Sequence, residues 1–251
     1  MHGHKVPALG LGTWQLRGAA CRDSVEEALD LGYRHIDTAQ MYGNEDVIGE
    51  VLQRAGVDRA ELFLTTKLDN RNHAAQAVIR STERGLSDLR TEYVDLLLIH
   101  WPTDYHIVDE TLDAMMQLCD DGKVRHIGVS NFSTEQFREA AEQAPIFTNQ
   151  IEYHPLRNQD ALVEAARMRG AMLTAYSPLA RGRVTREPAL VEIAAAHGKT
   201  AAQVSLRWLL QQEMVSAIPK ARGRAHLQAN MAIFDFELSD EECQRIRSIA
   251  G

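Results

Sequence analysis

The chain has 251 residues, 45% of them hydrophobic, 25% charged and 6% aromatic, a composition that excludes intrinsic disorder, collagen-like repeats and low-complexity assemblies. Its formal net charge of −8 and pI near 5.7 argue against nonspecific nucleic-acid binding, and no apolar run approaches the roughly 20 residues of a membrane span. The first ten residues lack the apolar region and cleavage site of a secretory signal, and Cys21, Cys119 and Cys243 are too scattered for a disulfide framework, so a cytoplasmic, reducing location is expected.

Taken in chain order, short β-branched runs alternate with amphipathic segments. A first strand at 9–13 leads to Trp14 and a helix at 22–31. The second strand, 34–38, carries Asp37 at its end, followed by a loop with Met41 and Tyr42 and a helix at 44–54. The third, 62–67, ends in Lys67 before a helix at 73–89, and the fourth, 94–100, ends in His100 beside Trp101 before a helix at 109–121. The fifth, 124–130, ends in Ser130-Asn131 and precedes a helix at 134–143; the sixth, 147–152, carries Gln150 and precedes a helix at 159–169. The seventh, 172–177, ends in Tyr176-Ser177, with a long helical pattern at 187–212. The eighth, 215–219, ends at Lys220 and is followed by helices at 224–231 and 239–249, the last opened by a capping-box spacing from Ser239 to Glu242.

Several of these strands are apolar throughout, as expected when both faces of a parallel strand are covered. Eight strand–helix units in this length predict a single (β/α)8 barrel, a TIM barrel spanning 1–251 with short rim loops, in preference to an open sheet. In such a barrel the C-terminal strand ends form the working rim. Seven of the eight strands end in a polar candidate, which makes that rim the place to look.

Several partial motifs carry no weight. In GLGTWQ from Gly10, Gln15 stands where a dinucleotide fingerprint has its third glycine. HGKT at 197–200 has Ile193 where a phosphate loop begins with glycine, and reads as a helix start. GVSNF ends in Phe132 instead of the glycine of a nucleophile elbow. There is no HExxH, and His2 with His4 reads as a mobile terminus and not a metal site.

The constellation that holds is Asp37, Tyr42, Lys67 and His100. A phenol has an ordinary pKa near 10 and a lysine near 10.4. A lysine held cationic by a carboxylate stabilises tyrosinate, so the pattern predicts a phenol pKa lowered by Lys67. Such a phenol serves as general acid toward a carbonyl oxygen gaining negative charge. Any one of the four has a bland explanation, such as a snorkelling lysine or a capping aspartate. Four complementary groups on consecutive strand ends favour function.

The segments GLGTWQL, GYRHIDTAQMYGNEDVIGE, LFLTTK, YVDLLLIHWP, GKVRHIGVSNF, NQIEYHP, AYSPLA and AIPK resemble, in order, the successive signatures of the aldo-keto reductases. The likeness runs from about Leu9 to the end and is nearest to compact bacterial 2,5-diketogluconate and methylglyoxal reductases. It implies a (β/α)8 barrel that reduces carbonyls with NADPH, without a metal or flavin. The family's catalytic residues fall on Asp37, Tyr42, Lys67 and His100. Its nicotinamide contacts fall on Ser130, Asn131 and Gln150, with Tyr176 stacking on the ring and Ser177 and Leu179 along the pyrophosphate. Lys220 and Asn230 match positions near the ribose phosphate and adenine. Three positions depart from the pattern: Ala221 replaces a serine, His226 an arginine and Ala229 a glutamate.

The expected activity is NADPH-dependent reduction of small aldehydes, ketones or keto sugars to alcohols, with NADH used more weakly. Trp14, Met41 and Trp101 are the expected pocket walls, by adjacency to the catalytic motifs. The alternative is a nucleotide-binding regulatory or structural barrel with little turnover, since a fold does not fix a function. A monomer acting on a small-molecule carbonyl, with no nucleic-acid or membrane partner, completes the expectation.

Overall fold

The computed structural model describes residues 6–250; His2 and His4 lie outside the described residues. Eight parallel strands run in sequence order: β1 (Leu11–Gly12), β2 (His35–Asp37), β3 (Phe63–Leu68), β4 (Val94–Ile99), β5 (Val124–Ser130), β6 (Ile146–Glu152), β7 (Met172–Tyr176) and β8 (Val215–Ala217). A parallel bridge from Leu9 to Ala217 joins the first strand to the last and closes the barrel. At this seam a side chain on Gly12 would place its Cβ 2.5 Å from the Ile218 carbonyl oxygen, so only glycine admits the approach.

Around the barrel lie α1 (Gly18–Asp30), α2 (Glu45–Arg54), α3 (Ala75–Asp88), α4 (Val108–Asp120), α5 (Thr134–Gln143), α6 (Asp160–Met168), α7 (Pro188–His197), α8 (Ala201–Leu210), α9 (Arg224–Met231) and α10 (Asp240–Arg247). The pattern at 187–212 is two helices and not one. Gly198 ends α7 in the left-handed region at φ 63°, and Thr200 opens α8 with a reciprocal capping box to Gln203. The apolar period continues across this break because both helices bury apolar residues in the same core, Leu190 and Ile193 of α7 and Val204 and Leu206 of α8, so periodicity alone runs through it.

One core lies between sheet and helices. A second fills the lower barrel with Phe63, Leu96, Leu98 and Phe147. Two histidine rings extend that plug: His35 meets Phe63 edge-on at 5.1 Å between centroids, and His126 stacks on Phe147 at 4.3 Å. The β5–β6 register shifts by one residue between the Ile127–Ile146 and Val129–Asn149 pairs. This lets Phe147 and Gln150, of opposite parity, both face inward. The barrel is therefore sealed and apolar below, and polar at the rim.

Candidate active site

Asp37 ends β2, Lys67 is the next-to-last residue of β3 and His100 directly follows β4, so neighbouring parallel strands deliver all three to one rim. Asp37 and Lys67 are 2% and 0% exposed and His100 is buried. Tyr42 closes a single 3-10 turn, Gln40–Tyr42, that projects over them. The Lys67 ammonium donates to Asp37 Oδ1 at 2.5 Å and to the Thr38 carbonyl at 2.8 Å. It stands 5.2 Å from the Tyr42 ring centroid. The Tyr42 and His100 rings meet edge to face at 5.6 Å. The structure thus brings the four residues together.

The turn bearing Tyr42 is fixed by residues whose roles the sequence did not reveal. Gly43 ends it in the left-handed region at φ 62°. Asn44, fully buried, accepts the Thr38 hydroxyl at 2.6 Å and donates to the Thr13 and Leu16 carbonyls at 3.2 and 3.0 Å. Its side chain does not cap α2, despite its place before that helix. Gln40 accepts from the Asp69 backbone N–H at 2.9 Å and from Asn72 at 3.1 Å. An asparagine and a glutamine flanking the tyrosine were the available signal, but their partners are distant in sequence.

Burial alone drives Lys67 toward neutrality, but Asp37 and then Tyr42 outweigh it and hold the ammonium above its ordinary range. Burial also raises the Tyr42 phenol, with Lys67 opposing. The net direction corrects the expected lowering: desolvation of a phenolate exceeds the pull of a cation already committed to Asp37. Burial, reinforced by Lys67, pushes His100 down to about 3, so its ring is neutral. Its Nδ1 has no hydrogen-bond partner among the described residues.

The next residues along the rim connect to this group. Gln150 Nε2 donates to Asp37 Oδ2 at 2.7 Å across the barrel. The Ser130 hydroxyl donates to the Gln150 carbonyl at 2.8 Å. Asn131, in the left-handed region at φ 62°, donates to the His100 carbonyl at 3.0 Å and to the Ser130 oxygen at 3.1 Å, and accepts the Tyr176 hydroxyl at 2.7 Å. Ser177 follows with φ 47°, and Leu179 is half-buried against the core.

Two expected cofactor residues stand apart from this network. Lys220 is exposed and donates to Gln15 at 2.9 Å beside the Trp14 ring. Asn230 is buried and engages the Tyr33 phenol. Trp14, Met41 and Trp101 are 45%, 43% and 43% exposed, an unusual solvent exposure for large apolar side chains placed beside polar strand ends. His154 and Glu152 serve the local loop: His154 Nδ1 accepts the Leu156 N–H at 3.2 Å, and Glu152 pairs with Arg157 at 2.7 Å. Among the described residues, no group of three or more His, Cys, Asp or Glu is arranged to hold a metal. Among them, too, no helix is long and apolar enough to cross a membrane.

A closed eight-stranded barrel with an ammonium, carboxylate, phenol and neutral imidazole at its C-terminal rim defines a class of TIM-barrel oxidoreductases. The chain belongs to the aldo/keto reductase family, whose model matches residues 8–250. It is 39% identical to the glyoxal reductase of Bacillus subtilis (strain 168), over 99% of this chain and 90% of the relative. It is also 39% identical to the methylglyoxal reductase DkgB of Escherichia coli O157:H7, over 97% and 93%. A solved structure assigned as a 2,5-diketo-D-gluconic acid reductase B is 48% identical and superposes with a TM-score of 0.95, covering 97% of this chain and 88% of that one.

Proposed function

We propose that this enzyme reduces small, activated carbonyls such as methylglyoxal or keto sugars with NADPH, with Tyr42 as the proton donor. The observation that carries the reading is the buried Lys67–Asp37 pair set against the Tyr42 ring beside a neutral His100. The intact constellation weighs against a barrel without turnover. The residues fit a nicotinamide dinucleotide. Asn131, Gln150 and Ser130 offer the mixed donors and acceptors that a carboxamide requires, and Tyr176 offers a half-buried ring face. Exposed Lys220, Arg222 and Arg224 offer cations to a terminal phosphate.

The bound dihydronicotinamide supplies the hydride. On the protein side, the carbonyl oxygen takes the place over Tyr42 and His100, where the phenol donates its proton and the imidazole orients the oxygen. Lys67, kept charged by Asp37, stabilises the tyrosinate left behind. Trp14, Met41 and Trp101 bound the pocket, and short rim loops leave little apolar wall for bulky ketones. A second carbonyl beside the reacting one offsets weak enclosure by activating it. We also propose a cytoplasmic monomer, organised as one domain.

The test is Tyr42→Phe assayed by loss of NADPH absorbance with methylglyoxal. Turnover is expected to fall about 10²–10⁴-fold, with NADPH affinity nearly unchanged, because the hydroxyl acts in the transition state. Near-normal turnover in Tyr42→Phe refutes the assignment.

A further inference from the structure

On the helix side of β3, behind the Tyr42 turn, lies a polar cleft of about 640 Å³ whose lining includes Gln40, Asp46, Arg80, Arg84 and Asp88. Glu45, the first residue of α2, lines it but is only 7% exposed. Its Oε1 accepts the Thr66 hydroxyl at 2.6 Å. Strand alternation turns Thr66 outward and its neighbour Lys67 inward. From the third side, α3 passes so near at Gly85 that an added Cβ would stand 3.3 Å from Glu45 Oε1. The carboxyl is therefore clamped between α2, β3 and α3, and only Gly43 and buried Asn44 separate it from Tyr42. Burying a carboxyl is costly unless a hydrogen bond repays it, and nothing in the proton transfer uses this one.

We propose that Glu45 is a positioning residue for Tyr42: by taking the Thr66 hydroxyl it fastens the start of α2, and the turn carrying the phenol, to the strand whose next residue is Lys67. The inference rests on Tyr42 being the proton donor. Removing the fastening leaves the cofactor contacts of β5 to β8 in place and disturbs the alignment of phenol and ammonium alone. It is thus a defect in kcat and not in cofactor affinity.

The fastening responds to pH. Burial pushes the Glu45 carboxyl up to about 7, while the Thr66 hydrogen bond acts in the opposite sense. The charges facing it are Asp46 on its own helix and Asp88 on α3, which disfavour ionisation, and Lys67 on β3, which favours it. Arg80 and Arg84 of α3, with the Asp69–Arg71 pair of the loop between β3 and α3, border the same cleft. Between pH 6 and 8 the bond from Thr66 passes from neutral to charge-assisted and strengthens. Through the same coupling by which Lys67 acts on Glu45, the ionised carboxylate acts on Lys67.

The experiment compares wild type, Glu45→Gln, Glu45→Ala and Thr66→Val for reductase kcat from pH 5.5 to 9. NADPH affinity is measured by protein fluorescence. In a second arm, tyrosinate absorbance is titrated in the cofactor-free protein, with Tyr42→Phe as the blank that isolates Tyr42. Wild-type kcat is expected to rise about threefold to tenfold through a transition near pH 7. Glu45→Gln should be flat there at the lower level, Glu45→Ala and Thr66→Val lower throughout, and NADPH affinity preserved in all. The Tyr42 titration should move to lower pH in Glu45→Gln, since the nearby negative charge is gone. A wild-type step that survives in Glu45→Gln overturns the proposal, and so does a parallel loss of kcat and cofactor affinity. If the wild type reduces no carbonyl with either cofactor, the reading of the site falls. The Tyr42 titration then decides the role of Glu45, and an unchanged curve in Glu45→Gln overturns it.

Discussion

Replacing Lys67 by methionine keeps an unbranched side chain one atom shorter and removes its charge. What remains is a carboxylate, Asp37, 2% exposed, left with the Gln150 donor at 2.7 Å, and a Thr38 carbonyl that has lost its ammonium. Breaking a buried ion pair by removing one partner costs about 3–5 kcal/mol. For a chain of this size each kcal/mol shifts the melting temperature by roughly 2–4 °C, so Lys67→Met should melt about 6–20 °C lower. The double variant Asp37→Asn/Lys67→Met removes both charges of the pair and should regain most of that loss. Activity follows a different course. Without the ammonium the tyrosinate has no counter-charge, so turnover should fall about 10²–10⁴-fold in the single variant and stay low in the double. Thermal melts by circular dichroism and NADPH consumption with methylglyoxal measure the two quantities separately. Recovery of activity together with stability in the double variant would show that Lys67 serves only to neutralise Asp37. A single variant as stable as wild type would show that the pair contributes nothing to the fold.

Stability should also fall on the acid side. His35, His73, His100 and His154 are buried, and in each burial holds the ring below its ordinary pKa, His100 at about 3. The unfolded chain protonates them near 6.5, so their contribution is complete above that pH and is lost as pH falls toward their folded values. Glu45, raised to about 7, works in the opposite direction, contributing most below the ordinary carboxylate range and losing that contribution as pH rises through 7. Four protons against one leave a net of at most about three, or roughly 4 kcal/mol per pH unit at the steepest. Urea midpoints that stay constant from pH 7.5 to 5 would contradict this. His226, exposed, with its Nδ1 3.0 Å from the Arg222 carbonyl, stands where the family resemblance implies an arginine. His226→Arg should raise the NADPH-over-NADH ratio of kcat/KM, because a guanidinium binds phosphate bidentately and a neutral imidazole does not. No gain would place this position away from the phosphate.

The strands and the four rim residues were legible in the sequence because they depend on local pattern. An apolar run ending in Asp37, Lys67 or His100 fixes which end of a parallel strand carries the polar group. The break at Gly198 was less legible, since the apolar stripe of α7 resumes in α8. Least legible were the long-range partners. Gln150 reaches Asp37 over 113 residues, and Asn44 reaches Thr13 over 31. Nothing in either local pattern specifies those partners; the closing of the barrel does. The direction of the Tyr42 shift failed for the same reason. A charge partner can be read from sequence, whereas the depth of burial that outweighs it is a property of the assembled rim.

The electrostatics of the assembled rim bear on which group gives up the proton. At pH 7 a histidine with a pKa of about 3 is almost entirely neutral, so His100 has no imidazolium proton to give. Lys67 is held above its ordinary range, with its protons directed at Asp37 and Thr38. Tyr42 keeps its proton at neutral pH because burial raises it, yet it lies beside the Lys67 cation, which opposes that rise by stabilising the anion. Burial penalises the phenolate in the resting site and Lys67 reduces that penalty. On the proposed reading the proton leaves only when a stronger base arrives, and the developing alkoxide of a reduced carbonyl is such a base. A phenol with an already lowered pKa would spend part of its time ionised and unable to donate. The upward shift, contrary to the pattern expected from the sequence, thus keeps the phenol in the protonated form that the proposed reduction requires near neutrality.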